Sequence, residues 1–216
     1  MTATVHAAPA EVFNRLSLLG LEEEPIRAAI ARGGRAVDVC TANHPKMFPP
    51  IAAWAETVCA VREYGAILGW SNCDDNNYSI CLSRDGQCAI AVATGNEATG
   101  IVSAQPATRA AKGRSTLEAV LVNQANFDLF PDEKKKAQSE ERRRHEDKRA
   151  NWILLIHRAS NEIRAELSQP VSIGVDGRVN DWRERIVLGS IPLDPVPVSV
   201  SQPPQPDLDI QVRRRA

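Results

Sequence analysis

Two short apolar segments on either side of Asp85-Gly86 restrict the fold more than any other feature of the chain. Residues 78–82 and 87–93 have the composition of strands, and an Asp-Gly dipeptide accepts the positive φ angles of a tight hairpin turn. A two-residue turn there pairs Cys81 with Ile90. Both faces of the hairpin are then apolar, which predicts a central position with other elements packed on each side.

Three helices are predicted before this hairpin. The first carries its apolar residues on one face and ends at Gly20, and the second ends at Gly33-Gly34, because glycine commonly follows a helix C-terminus. The third helix is predicted from Ile51 to Tyr64. Its apolar residues recur at helical spacing, so we expect its Trp54 stripe in the core.

Further strands are predicted after the hairpin. Trp152–His157 is continuously apolar and Glu162–Ser168 alternates, so these two segments should form a second hairpin. The alternation places Ile163, Ala165 and Leu167 inward, and Arg164 and Glu166 outward. Three other segments complete the predicted sheet, at Thr116–Asn123, Ser172–Val175 and Arg183–Leu188.

These elements predict an α+β fold in which N-terminal helices pack on a largely antiparallel central sheet. The hydrophobic fraction of 43% and the charged fraction of 25% are those of an ordinary globular domain. We expect one domain over residues 1–191. Residues 192–216 are rich in proline, which cannot supply ladder hydrogen bonds, and are predicted to be a disordered tail.

A nearly wholly polar segment, Asp132–Arg149, is predicted to be an exposed charged helix inserted between strands. Opposite charges four residues apart, such as Glu140 and Arg144, can support such a helix in solvent. It is either a solvated surface or an arm that binds a protein or nucleic acid. The candidate binding residues are Lys134, Lys135, Lys136, Arg142, Arg143, Arg144, Lys148 and Arg149.

The chain lacks an apolar segment long enough to cross a bilayer and begins without a basic and apolar leader. Its five cysteines are odd in number and lack the close pairs of structural zinc sites, so we interpret them as reduced thiols. Cys81 and Cys88 are expected to be small buried residues in strands. We therefore expect a cytoplasmic protein with no bound metal, no cofactor and no membrane partner.

Motifs for catalysis are incomplete. Gly95–Gly100 has the glycine spacing of a phosphate-binding loop but lacks the lysine and hydroxyl residue that follow the second glycine. His157 ends an apolar strand, where a histidine with its hydrogen bonds satisfied is expected. No nucleophile-elbow or zinc-protease motif occurs in the sequence.

The predicted order of helix, three strands, helix and strand resembles the core of restriction-endonuclease-like nucleases. The resemblance implies metal-dependent cleavage by an acid on the second strand and a Glu/Asp-x-Lys motif on the third. Glu97 lies at the far end of the second predicted strand, and Glu118 lies on the third. Ala119 and Val120 follow Glu118, with no lysine two places on, so the implied site is degenerate.

Binding is therefore the leading hypothesis: an accessory or regulatory protein, not an enzyme, with a protein or nucleic-acid partner. The alternative is a metal-dependent nuclease that uses Glu97 and Glu118. The oligomeric state does not follow from the sequence. A net charge of −1 differs from the strongly basic balance of a committed duplex-binding domain.

Overall fold

The computed structural model describes residues 3–74, 78–125 and 149–193. Within these residues the elements are β1 (Thr4–His6), α1 (Pro9–Leu18), α2 (Glu23–Asp38), α3 (Phe48–Ile67), β2 (Ser71–Cys73), β3 (Ile80–Leu82), β4 (Cys88–Thr94), α4 (Arg114–Ala125), β5 (Ala150–Arg158), β6 (Glu162–Ile173) and β7 (Val179–Pro192). The predicted α+β class is confirmed. Pro192 closes β7, and residues 194–216, which include the rest of the predicted tail, lie outside the described residues.

The seven strands form one mixed sheet in the order β1-β7-β6-β5-β4-β3-β2. Strands β2 to β4 are antiparallel to one another, and so are strands β5 to β7. Between these two groups β4 and β5 run parallel, from Cys88 beside Ala150 to Thr94 beside Ile156. A parallel pair requires a crossover connection, and here it extends from Gly95 to Arg149 and contains α4.

The hairpin around Asp85-Gly86 has the predicted register, with Cys81 opposite Ile90. Gly86 adopts a φ of +70°, which a glycine tolerates without steric cost. Cys81 and Ile90 lie in the core beneath the N-terminal helices, whereas Ala89 and Ala91 belong to a separate cluster. The expected burial of both faces is therefore confirmed.

Helices α1, α2 and α3 supply one layer against the sheet. Leu16, Ile30 and Val61 join the main core with Trp152 and other residues of the central strands. The predicted end of α2 at Gly33-Gly34 is wrong, because the helix continues to Asp38. Both glycines are buried at packing contacts, so their missing side chains allow close approach and do not end the helix.

Gly33 sets the distance between α2 and α3. A Cβ atom at this position would lie 2.6 Å from the carbonyl oxygen of Ala53 and closer still to Oγ1 of Thr57. Replacing a helical glycine by alanine gains about 1 kcal/mol of helix propensity. The clash with backbone outweighs that gain, because a carbonyl cannot move aside unless the helices separate.

We therefore expect Gly33→Ala to lower the free energy of unfolding by about 1–3 kcal/mol, as overpacked cores do. Urea denaturation measures the change. Gly113→Ala is the matched control, since a Cβ there meets no atom within 4 Å. Equal stability of the two variants would show that the helices separate without cost.

The opposite face of the sheet is covered by α4 and by the loop that precedes it. The predicted strand Thr116–Asn123 is wrong, since these residues belong to α4. Thr116, Ala119, Val120 and Asn123 are buried, at the spacing of one helix face. Two of these four inward residues are polar, which concealed the helical period from an analysis of apolar residues alone.

Asn123 fastens α4 to the sheet. Its side chain is fully buried and donates to the carbonyl oxygens of Asn151 and Pro170, each at 2.9 Å. The amide nitrogen of Asn151 donates to Oδ1 of Asn123 at 2.8 Å. One asparagine therefore satisfies backbone groups of both β5 and β6.

The prediction that Glu166 faces solvent is wrong. Its side chain is fully buried and accepts hydrogen bonds from Arg185 at 2.6 and 3.2 Å, from Ser168 at 2.9 Å and from the Gly100 nitrogen at 3.1 Å. Arg185 also donates to the carbonyl oxygens of Ile101 and Ala104. The ion pair thus holds the loop after β4 against the sheet. This loop covers the side of β6 that carries Glu166, which the strand alternation had assigned to solvent.

Candidate functional site

Most of the predicted binding residues fall outside the described part of the chain. Lys134, Lys135, Lys136, Arg142, Arg143, Arg144 and Lys148 belong to residues 126–148, which the structure does not describe. Arg149 is described, and it lies directly before β5. The binding role of this segment stays a prediction.

The two acids of the nuclease hypothesis lie on different kinds of element. Glu97 is exposed in the loop after β4, and its backbone carbonyl accepts a hydrogen bond from Arg164 at 2.8 Å. Glu118 lies on α4 and pairs with Arg114 at 3.1 Å, one helical turn away. The expected placement of Glu118 on a third strand is therefore wrong.

The strands themselves differ from the nuclease pattern. The order helix, three strands, helix and strand is met by α3, β2 to β4, α4 and β5. The second strand of this series is Ile80-Cys81-Leu82, and the third is Cys88–Thr94. Neither contains an acid or a lysine, so the motif that the resemblance implies does not fall on these strands.

Cys81 and Cys88 are buried, as predicted. Burial raises the pKa of the Cys88 thiol to about 12, and it also raises the pKa of Cys81. Both are therefore protonated and unreactive at neutral pH. Among the described residues, no three His, Cys, Asp or Glu side chains come together in a group that could hold a metal ion.

A cleft of about 380 Å³ opens where β4 and β5 end. It lies between the last residues of the two strands, 92–94 and 156–158, and the helices α2 and α3. Parallel strands place their carboxyl ends at the same edge of a sheet, and ligands of α/β proteins bind at such an edge. This location makes the cleft the candidate functional site.

Four basic side chains line the cleft. Arg109 is placed by its own backbone nitrogen, which donates to the carbonyl oxygen of Thr94 at 2.8 Å. His157 and Arg158 end β5, and Lys46 belongs to the segment before α3. The described lining contains no aspartate or glutamate.

Three of these four side chains have no partner within residues 3–74, 78–125 and 149–193. Arg158 pairs with Asp38 at 2.7 Å and donates to the Gly34 carbonyl oxygen. Lys46, Arg109 and His157 make neither a side-chain hydrogen bond nor an ion pair with the described residues. His157 was expected to have its hydrogen bonds satisfied, but this part of the structure shows no side-chain partner for it. The side chains of Lys46, Arg109 and His157 are therefore available to an anion.

The apolar wall of the cleft comes from both layers. Ile30 and Ile163 are almost fully buried, whereas Trp54 is 38% exposed. The Trp54 indole nitrogen donates to the Val92 carbonyl oxygen at 3.1 Å, which fixes the ring beside the end of β4. The expectation that Trp54 belongs to the closed core is wrong, because part of its ring faces the cleft.

Sequence reasoning missed this site because it predicted a largely antiparallel sheet and did not pair β4 with β5. Two apolar strands that each end in polar residues, Thr94 on one and His157-Arg158 on the other, were the available signal. Only the parallel pairing brings these ends to one edge.

No helix in the described ranges is both long enough and apolar enough to cross a membrane.

Comparison with known proteins gives no match, whether with family models, curated proteins or solved structures.

Proposed function

We propose that this chain is a non-enzymatic binding protein that recognises an acidic group of its partner at the cleft between β4, β5, α2 and α3. One observation carries the proposal: the described lining contains no carboxylate, and its Lys46 and Arg109 lack a partner among the described residues, whereas Arg158 is paired with Asp38. Charges of one sign in a cleft focus the electric field and attract ligands of the opposite sign.

The unpartnered state of the cations supports this proposal. Surface cations of a folded domain commonly lie beside acids, as Arg32 does beside Glu56 and Glu63. Lys46 and Arg109 have no such neighbour among the described residues, so both are available to an anion that enters the cleft. The fold gains no hydrogen bond or ion pair from either side chain among the described residues, so changing them tests recognition without disturbing such a contact.

The charged segment remains a second proposed contact, through Lys134 to Lys136, Arg142 to Arg144, Lys148 and Arg149. The alternative of a metal-dependent nuclease gains no support from the positions of Glu97 and Glu118. The partner itself is proposed to be a protein or a nucleic acid, and one experiment separates these classes.

The experiment is affinity purification of the tagged full chain from its host, with and without nuclease treatment, followed by mass spectrometry. Wild type is compared with Lys46→Glu/Arg109→Glu, which reverses the unpartnered cleft charges. We expect this variant to lose at least about nine-tenths of the captured partner, since losing a hydrogen bond to a charged group weakens binding about tenfold or more.

The matched control is Arg35→Glu/Arg84→Glu, which changes net charge equally at two exposed positions outside the cleft. A third variant reverses Arg142, Arg143 and Arg144. Loss of the partner in this variant alone would assign recognition to the charged segment and contradict the cleft proposal. Capture that is equal in all four proteins would contradict both.

A further inference from the structure

The size of the cleft limits what can enter it. A volume of about 380 Å³ lies within the roughly 300–1,000 Å³ of pockets that bind small molecules. A duplex or a folded protein surface cannot enter such a space, although a group that projects from one can. The interior of the cleft is therefore matched to a single small molecule.

The walls require that this molecule be apolar over part of its surface. Val37 and Ile156 offer partly exposed aliphatic surface, and Trp54 offers part of an indole ring. Because the indole nitrogen is held by Val92, the ring keeps its position when the cleft is empty. A preorganised aromatic surface binds flat apolar groups without the cost of ordering a side chain.

The basic side chains require that the same molecule carry a negative charge. Arg109 lies in the loop after β4, where its backbone nitrogen is bonded to Thr94 at the end of that strand, and His157 lies near the end of the adjacent strand β5, since Thr94 is in register with Ile156. Arg158 is already paired with Asp38, so the available positive charge belongs to Arg109 and Lys46. Carboxylate and phosphate are the anions that arginine and lysine bind best.

Going beyond the proposed function, we infer that the cleft binds a small amphipathic organic anion, an aromatic or aliphatic body with one carboxylate or phosphate group. The body lies against Trp54, Val37 and Ile156, and the anionic group meets Arg109 and Lys46. The inference differs from the proposed function in that the ligand is a free small molecule.

Three probes with one apolar body test the inference: naphthalene-1-acetate, 1-naphthyl phosphate and the neutral 1-naphthaleneacetamide. Binding to the full chain is measured by calorimetry, and the site is located by the NMR signal of the Trp54 indole N–H. We expect at least one anion to bind at least about tenfold more tightly than the amide, since a hydrogen bond to a charged group contributes that much. The two anions distinguish a carboxylate from a phosphate ligand.

The variant Lys46→Met/Arg109→Met should reduce the affinity for the anion at least about tenfold and leave the affinity for the amide unchanged. It should fold normally, because neither side chain contacts another described residue through a hydrogen bond or ion pair. A normal NMR spectrum checks this. Arg35→Met/Arg84→Met is the control and should bind as wild type does.

Several results would overturn the inference: equal affinity for amide and anions, no shift of the Trp54 signal, or binding of both anions weaker than about 1 mM. If the probes fail while partner capture still depends on Lys46 and Arg109, the cleft recognises an acidic group of a macromolecule, and only the small-molecule inference is wrong. If the probes bind while partner capture is insensitive to the cleft, the proposed macromolecular function fails and the small-molecule site stands.

Discussion

Replacing Glu166 by alanine should lower the free energy of unfolding by about 3–5 kcal/mol, because removal of one partner leaves a buried charge uncompensated. Arg185 is only 4% exposed at its side chain, and Glu166 is its only ionic partner among the described residues. Urea denaturation measures the loss. Hydrogen exchange should also show faster exchange in residues 100–104, since the ion pair holds this loop.

A double-mutant cycle separates the ion pair from the packing of its side chains. Glu166→Ala/Arg185→Met removes both charges, so its destabilisation should be smaller than the sum of the two single changes. Glu97→Ala, an exposed acid of the same loop, should change stability by no more than about 0.5 kcal/mol. Additive effects in the cycle would show that the pair is not energetically coupled.

Asn123→Ala should lower the free energy of unfolding by about 3 kcal/mol or more, since each unpaired buried polar group costs about 1–3 kcal/mol. The change leaves the Asn151 nitrogen and the carbonyl oxygens of Asn151 and Pro170 without their partner. Thermal and urea denaturation both report the loss. The loss of unfolding free energy caused by Asn123→Ala should exceed that caused by substitutions on the outer surface of α4.

Gln124→Ala is the matched control, because it changes the neighbouring helical residue and disturbs none of the hydrogen bonds that Asn123 makes. We expect a change of no more than about 0.5 kcal/mol there. Asn123→Asp keeps the acceptor for the Asn151 nitrogen but loses both donated bonds and buries a charge, so it should destabilise at least as much as alanine. Normal stability of either Asn123 variant would show that water replaces the side chain.

The parts of the fold that follow from the sequence are those set by neighbouring residues. The register of Cys81 with Ile90 follows from the turn at Asp85-Gly86, and the hairpin of β5 with β6 follows from the short connection at residues 159–161. The inward positions of Ile163, Ala165 and Leu167 were predicted correctly, since each is buried. In these cases local turn chemistry and strand alternation suffice.

The parts that do not follow depend on distant partners. Strand alternation alone predicts that Glu166 faces solvent, because it does not show that Arg185 and the loop at Gly100 cover the side chain. Likewise, the buried face of α4 contains Asn123, whose polar groups are satisfied only by β5 and β6. The cleft was missed for the same reason, because its strand ends meet only through the parallel pairing of β4 with β5.

That parallel pairing has a consequence for how the molecule assembles. The antiparallel groups β2–β4 and β5–β7 contain mostly contacts between neighbours in sequence, which form quickly, whereas β4 can meet β5 only after the connection from Gly95 to Arg149 has closed. Closing a long connection costs chain entropy before its contacts form, so we expect the two groups to fold first and to join late. Thr94 comes from one group and His157 from the other. The cleft is therefore complete only in a chain that has finished folding, and partly folded molecules lack the proposed binding site.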